Sequence, residues 1–128
     1  MIKKKILNPE RVRKIHGGFS FIPHRFLQDK FLAALSRQEI LVYLFLVLAS
    51  DRFGLSFYSY DMICSLLKIT VDQYIEARNS LIQKDLIAFD GTLFQVLALP
   101  AKAPEASKSG QTGPDALLDL VKRTVKGI

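Results

Sequence analysis

Ser59-Tyr60-Asp61-Met62-Ile63-Cys64-Ser65-Leu66-Leu67-Lys68-Ile69-Thr70-Val71-Asp72-Gln73 decides the fold, because it contains two helix starts in close succession. Ser59 can cap a helix over 60–67, whose apolar residues Met62, Ile63, Leu66 and Leu67 share one face. Lys68-Ile69 forms the turn. Thr70 and Gln73 have capping-box spacing, in which the hydroxyl accepts an amide hydrogen of the first turn and the amide side chain reaches back. This box opens a second helix running to about Lys84. Its inward stripe reads as Val71, Tyr74, Ile75, Arg78, Leu81 and Ile82, leaving Asp72, Gln73, Glu76, Asn79, Ser80 and Gln83 outward.

Downstream, Leu86–Phe89 and Thr92–Leu97 flank Asp90-Gly91, a strong hairpin signal. Upstream, Leu55–Tyr58 has strand character but is too short to stand alone, so it should pair with the hairpin in a three-stranded antiparallel sheet. Ser36-Arg37-Gln38-Glu39 is another capping box, opening a helix to about Ser50 with Gly54 as its stop. Ile40–Ala49 is apolar throughout, about half a bilayer span, and reads as a core helix, apolar on every side because other elements cover most of it. Before it, Phe19–Phe21 reads as extended, and the spacing of Ile22, Phe26, Leu27, Phe31 and Leu35 predicts a helix over about 23–34, with Pro23 in its first turn.

The order helix, strand, helix, turn, helix, hairpin is the plan of a winged helix-turn-helix. The predicted fold class is therefore α+β: a three-helix core with a small antiparallel sheet, an extra N-terminal helix and a short C-terminal helix. Residues 1–18 read as a flexible basic arm ending at Gly17-Gly18, and 19–99 as the winged-helix domain. The Ala-, Ser-, Gly- and Pro-rich segment 100–114 reads as a linker. Residues 115–128 read as an amphipathic helix, with Leu117, Leu118, Val121 and Val125 on one side, a possible dimer or protein contact.

The net charge of +6 is unevenly spread. The arm carries Lys3, Lys4, Lys5, Arg11, Arg13 and Lys14 against Glu10 alone. Between 36 and 100, Arg37, Arg52, Lys68, Arg78 and Lys84 are outnumbered by Glu39, Asp51, Asp61, Asp72, Glu76, Asp85 and Asp90. The positive field thus belongs to the arm, while the domain is slightly acidic.

Several function classes receive no support. The lone Cys64 excludes an internal disulfide and fits a small buried group in a reducing compartment. His16 and His24 are too few for a metal site. No nucleophile motif or phosphate-cradling glycine loop is present, so no catalysis, cofactor or small-molecule substrate is expected. The basic start lacks the apolar stretch of a signal peptide, and the expectation is a cytoplasmic chain without a membrane partner.

The runs Ile63-Cys64-Ser65-Leu66-Leu67-Lys68-Ile69-Thr70 and Leu81-Ile82-Gln83-Lys84-Asp85-Leu86-Ile87 resemble the helix-turn-helix and the step into the wing of bacterial winged-helix proteins. The likeness covers about 55–99. It is closest to the winged helices of plasmid replication initiators and primosomal proteins, and to small helix-turn-helix proteins carried beside transposase genes. Asp85 stands where those families usually place glycine. Asp72, Glu76 and Asp90 stand where they usually place Arg or Lys.

The resemblance implies double-stranded DNA as partner, in transcriptional regulation or as a replication or mobile-element accessory. Its recognition helix would offer Thr70, Asp72, Gln73, Glu76, Asn79, Ser80, Gln83 and Lys84, with Gln73 and Asn79 suited to adenine edges and an acidic residue to cytosine N4. The arm residues Lys3, Lys4, Lys5, Arg11, Arg13 and Lys14 would contact phosphate. Arg78 reads either as a structural arginine, paired with Asp61, Asp85 or backbone carbonyls, or as a phosphate clamp. Tyr58 and Tyr60 are expected to be exposed and able to touch a partner. The alternative function is a winged-helix protein-interaction or dimerisation module without direct DNA binding, suited to the acidic recognition face.

Overall fold

A computed structural model describes residues 2–104. The expected helix at 115–128 and most of the expected linker lie outside these residues. The elements are α1 (Arg25–Gln28), α2 (Arg37–Ala49), β1 (Leu55–Phe57), α3 (Tyr60–Leu67), α4 (Val71–Gln83), β2 (Ile87–Phe89) and β3 (Leu93–Val96), with single 3-10 turns at Pro9–Arg11 and Leu32–Ala34. This is a winged helix-turn-helix: α2, α3 and α4 pack together, and the sheet has strand order β1-β3-β2, antiparallel throughout.

Both main capping boxes are present. Ser36 Oγ accepts from Glu39 N and Glu39 Oε1 accepts from Ser36 N; Thr70 and Gln73 do the same at α4. These reciprocal bonds satisfy amide groups that a helix start otherwise leaves without partners. Ser59 occupies the N-cap position of α3 but makes no side-chain capping bond.

The turn between α3 and α4 requires Lys68 at φ 58°, in the left-handed region. At the far end of α4, Asp85 takes φ 61°. There Asp85 N donates to Ile82 O and Leu86 N to Leu81 O, a Schellman closure whose flanking residues Leu81 and Leu86 are both buried. Asp85 therefore occupies a left-handed cap position that glycine adopts with least strain.

The predicted helix over 23–34 is instead two short pieces. Lys30 has φ 70°, and Asp29 binds back to Arg25 Nε at 2.9 Å, so the chain turns after Gln28 and resumes as the 3-10 turn at Leu32. The break drives Phe26 and Phe31 inward together, with Phe26 stacked 4.9 Å from Tyr43 of α2.

Two further expectations are corrected, the stop of α2 and the turn of the hairpin. α2 ends at Ala49, where Ser50 Oγ donates to Val47 O; Gly54 lies beyond, in the turn before β1, at φ 83°. Other elements cover most of α2, as expected: Val42, Tyr43, Leu46 and Val47 are buried, and only Leu44 and Leu48 between Ile40 and Ala49 are exposed. The hairpin turns on Gly91-Thr92, one residue later than read. Asp90 N donates to Leu93 O, and Asp90 Oδ1 accepts from Thr92 N and Leu93 N.

The core joins α1, α2, α3, α4 and the sheet around Phe31, Leu46, Ile63, Leu81, Leu86 and Phe94. It extends past β3. Leu99 and Ala103 pack against it, and Arg25 Nη2 donates to Pro100 O at 2.8 Å, so the first residues of the expected linker are tied to α1.

Candidate nucleic-acid interface

The helical stripes are rotated from the sequence reading. In α3 the buried residues are Ile63 and Cys64, and Met62 and Leu66 are exposed. In α4 the buried line is Tyr74, Ala77 and Leu81; Val71, Ile75 and Ile82 are exposed and flank the polar crest. The cause is Ala77. As a small residue it gave no strong apolar signal, yet it is 2% exposed and lies between Tyr74 and Leu81 on the buried line.

Asp72, Glu76, Asn79 and Gln83 are exposed along α4, as expected for an outward crest. The other expected readers are partly committed. Thr70 Oγ1 and Gln73 Oε1 bond each other's backbone in the capping box, and Asn79 Oδ1 accepts from both Nε and Nη2 of Arg78. A bidentate grip on adenine needs both the oxygen and the nitrogen of an amide, so it would break those bonds.

Lys84 differs most from its expected place. Its ammonium donates to Glu39 Oε1 at 2.7 Å and to Ala34 O at 2.9 Å, with both side chains largely buried. It is a brace between α4 and the start of α2. Ser80 is half-buried. The arm residues Lys3, Lys4, Lys5, Arg11, Arg13 and Lys14 are all exposed. None is in an ion pair among the described residues.

Arg78 lacks the carboxylate partners expected under its structural reading. It is half-buried, with its guanidinium carbon 5.5 Å from the Tyr74 ring centroid and 5.1 Å from that of Phe89. Neither Asp61 nor Asp85 pairs with it; its hydrogen-bond partner is Asn79, and two aromatic faces hold it by cation–π attraction. Burial raises the Tyr74 phenol above its ordinary value, with the positive charge of Arg78 opposing the shift.

These rings belong to an open cleft of about 650 Å3 between α4 and the hairpin. Phe57, Tyr58, Ser59 and Tyr60 form one wall, Tyr74 and Arg78 another, and Phe89, Gly91 and Thr92 the third. Phe57 is 64% exposed, Tyr60 57% and Tyr58 41%, so three rings present apolar faces to solvent. Tyr58 is steadied edge-on by Phe45 at 5.0 Å. Exposure of the two tyrosines matches their sequence reading. Phe57 is a sheet residue at the end of β1, and the walls of the cleft come from three separate segments.

Burial, followed by the nearby Asp61 charge, raises the Cys64 thiol above its usual value, which leaves it an inert packing group. Among the described residues no cluster of His, Cys, Asp and Glu could hold a metal, and no helix is long and apolar enough to cross a membrane.

Residues 33–87 match the helix-turn-helix domain family. The match begins in the 3-10 turn before α2 and ends in β2, so it spans the three core helices that present the crest of α4. No curated protein and no solved structure is significantly similar to the chain. A helix-turn-helix domain points to DNA as the partner.

Proposed function

We propose that the protein is a non-catalytic binder of double-stranded DNA, acting as a transcriptional regulator or as an accessory to replication or to a mobile element. The supporting observation is the placement of α4: packed through Tyr74, Ala77 and Leu81, braced at its end by Lys84, and free along Asp72, Glu76, Asn79 and Gln83. Inserted in a major groove, this crest offers acceptors, and Asp72 and Glu76 suit the exocyclic amine of cytosine. Its own phosphate attraction is weak, because the crest carries no cation.

The arm complements that deficit. Lys3, Lys4, Lys5, Arg11, Arg13 and Lys14 supply charge that the domain lacks, and phosphate neutralisation is the main source of sequence-independent affinity. Titration of a labelled random-sequence duplex at low salt tests the proposal, with saturable binding as the expected outcome. An absence of binding there rejects it.

A second reading rests on Val71, Ile75 and Ile82 beside Asp72 and Glu76, with Met62 and Leu66 exposed on α3. An apolar and acidic surface of this kind suits a protein partner or a second copy. Light scattering of the pure chain discriminates: a stable dimer without affinity for DNA favours this reading.

A further inference from the structure

The cleft beside α4 has a composition that groove recognition by the crest does not use. Three of its rings are exposed, and its one cation, Arg78, is held between Tyr74 and Phe89 without a carboxylate partner among the described residues. By contrast, the other cations that bridge elements of the domain, Arg25 and Lys84, each have a carboxylate within 3 Å. The two acids nearest in sequence to the cleft are occupied elsewhere. Asp90 accepts from the amides of Thr92 and Leu93, and Asp61 from the amide of Met62. No carboxylate lines the cleft.

We infer that this cleft binds an unpaired nucleotide of single-stranded DNA, with the base stacked against Phe57 or Tyr60 and the phosphate at the Arg78 guanidinium. Exposed aromatic faces recognise bases only when the bases are unstacked, since those in a duplex already cover one another. Asn79 takes Nε and Nη2 of this planar guanidinium, which leaves Nη1 and the second hydrogen of Nη2 as donors for phosphate oxygens. The volume of about 650 Å3 exceeds what one nucleotide needs, and its open form lets a strand continue past the hairpin. This inference rests on the nucleic-acid reading, but on different residues from those that would meet a duplex. It extends the activity to forked, melted or nicked DNA.

The chain provides its own optical probe. It has no tryptophan and four tyrosines, of which Tyr58, Tyr60 and Tyr74 line the cleft and Tyr43 is buried in the core. The full-length protein is titrated with a fluorescein-labelled 15-residue thymidine oligonucleotide, a blunt duplex and free thymidine monophosphate, following tyrosine emission and anisotropy. The oligonucleotide is expected to quench the tyrosines. Tyr60→Leu and Arg78→Gln should each weaken its binding about tenfold or more, with duplex affinity changed less than twofold in Tyr60→Leu, whose side chain lies outside α4. Tyr60 is exposed, so Tyr60→Leu should fold normally, with circular dichroism as the check.

Unaltered oligonucleotide binding by both variants overturns the inference, as does the absence of quenching. Equal half-saturation by free thymidine monophosphate overturns the assignment to a strand. Duplex binding without oligonucleotide binding rejects this site alone. Oligonucleotide binding without duplex binding rejects the duplex proposal and leaves the cleft standing.

Discussion

Glu39 Oε1 lies 2.7 Å from Lys84 Nζ, joining the first turn of α2 to the C-cap of α4. The same carboxylate oxygen closes the Ser36 capping box, and the same ammonium binds Ala34 O. One buried pair thus fixes the start of α2, the end of α4 and the turn preceding α2. Removing one charge strands the other in the interior, which typically costs about 3–5 kcal/mol. Lys84→Met should therefore unfold the domain at much lower denaturant, and the double variant Glu39→Gln/Lys84→Met should recover part of the loss. Urea titrations of the three proteins measure this.

Gly54 carries φ 83°, and a Cβ built there would stand 2.5 Å from the carbonyl oxygen of Val96, which belongs to backbone that cannot yield without disturbing β3. Its own carbonyl accepts from Val96 N at 2.8 Å. Gly54→Ala should destabilise the fold by about 1–3 kcal/mol. Loss of amide-exchange protection should concentrate in β1 and β3, away from the hairpin pair β2–β3.

Lys68 at φ 58° and Asp85 at φ 61° end the two helices of the motif in a conformation that a side chain disfavours. Lys68→Gly should stabilise the domain by about 1 kcal/mol, after allowing for the greater freedom of glycine in the unfolded chain. Asp85→Gly should gain less, because aspartate visits this region more readily than lysine. Thermal melts of the two variants against the parent give the comparison.

Asp90 is held below its ordinary carboxylate pKa, first by the Leu93 amide and next by that of Thr92. A carboxylate depressed in the folded state stabilises it at pH values above the ordinary range, and this stabilisation is lost as pH falls through the depressed value. Denaturation midpoints should therefore fall between about pH 5 and pH 3. Asp90→Asn retains an oxygen acceptor without the charge and should show a shallower decline over that interval.

Much of the architecture was legible because local chemistry and global fold agree. Ser36 with Glu39 and Thr70 with Gln73 announce α2 and α4 by spacing alone, and turn residues around Gly91 announce the hairpin. What escaped was set by tertiary contacts. Lys30 turns left-handed to bury Phe26 and Phe31, and no residue there signals a break. Lys84 looks like a surface cation until α2 brings Glu39 beside it. The cleft draws on Phe57, Tyr74 and Phe89, whose segments meet only in the folded chain. The crest of α4 was readable as polar positions, but the bonds that occupy Gln73 and Asn79 were not.

The salt dependence of duplex binding tests the central claim most directly. Anisotropy titrations between about 50 and 200 mM salt should give a linear fall of log affinity with log salt, and Lys3→Ala/Lys4→Ala/Lys5→Ala should reduce the slope by roughly 2–3 if each lysine neutralises a phosphate. A slope unchanged by removal of these three charges, or no duplex binding at the lowest salt, would contradict a protein that reads DNA through α4 and grips it through its arm.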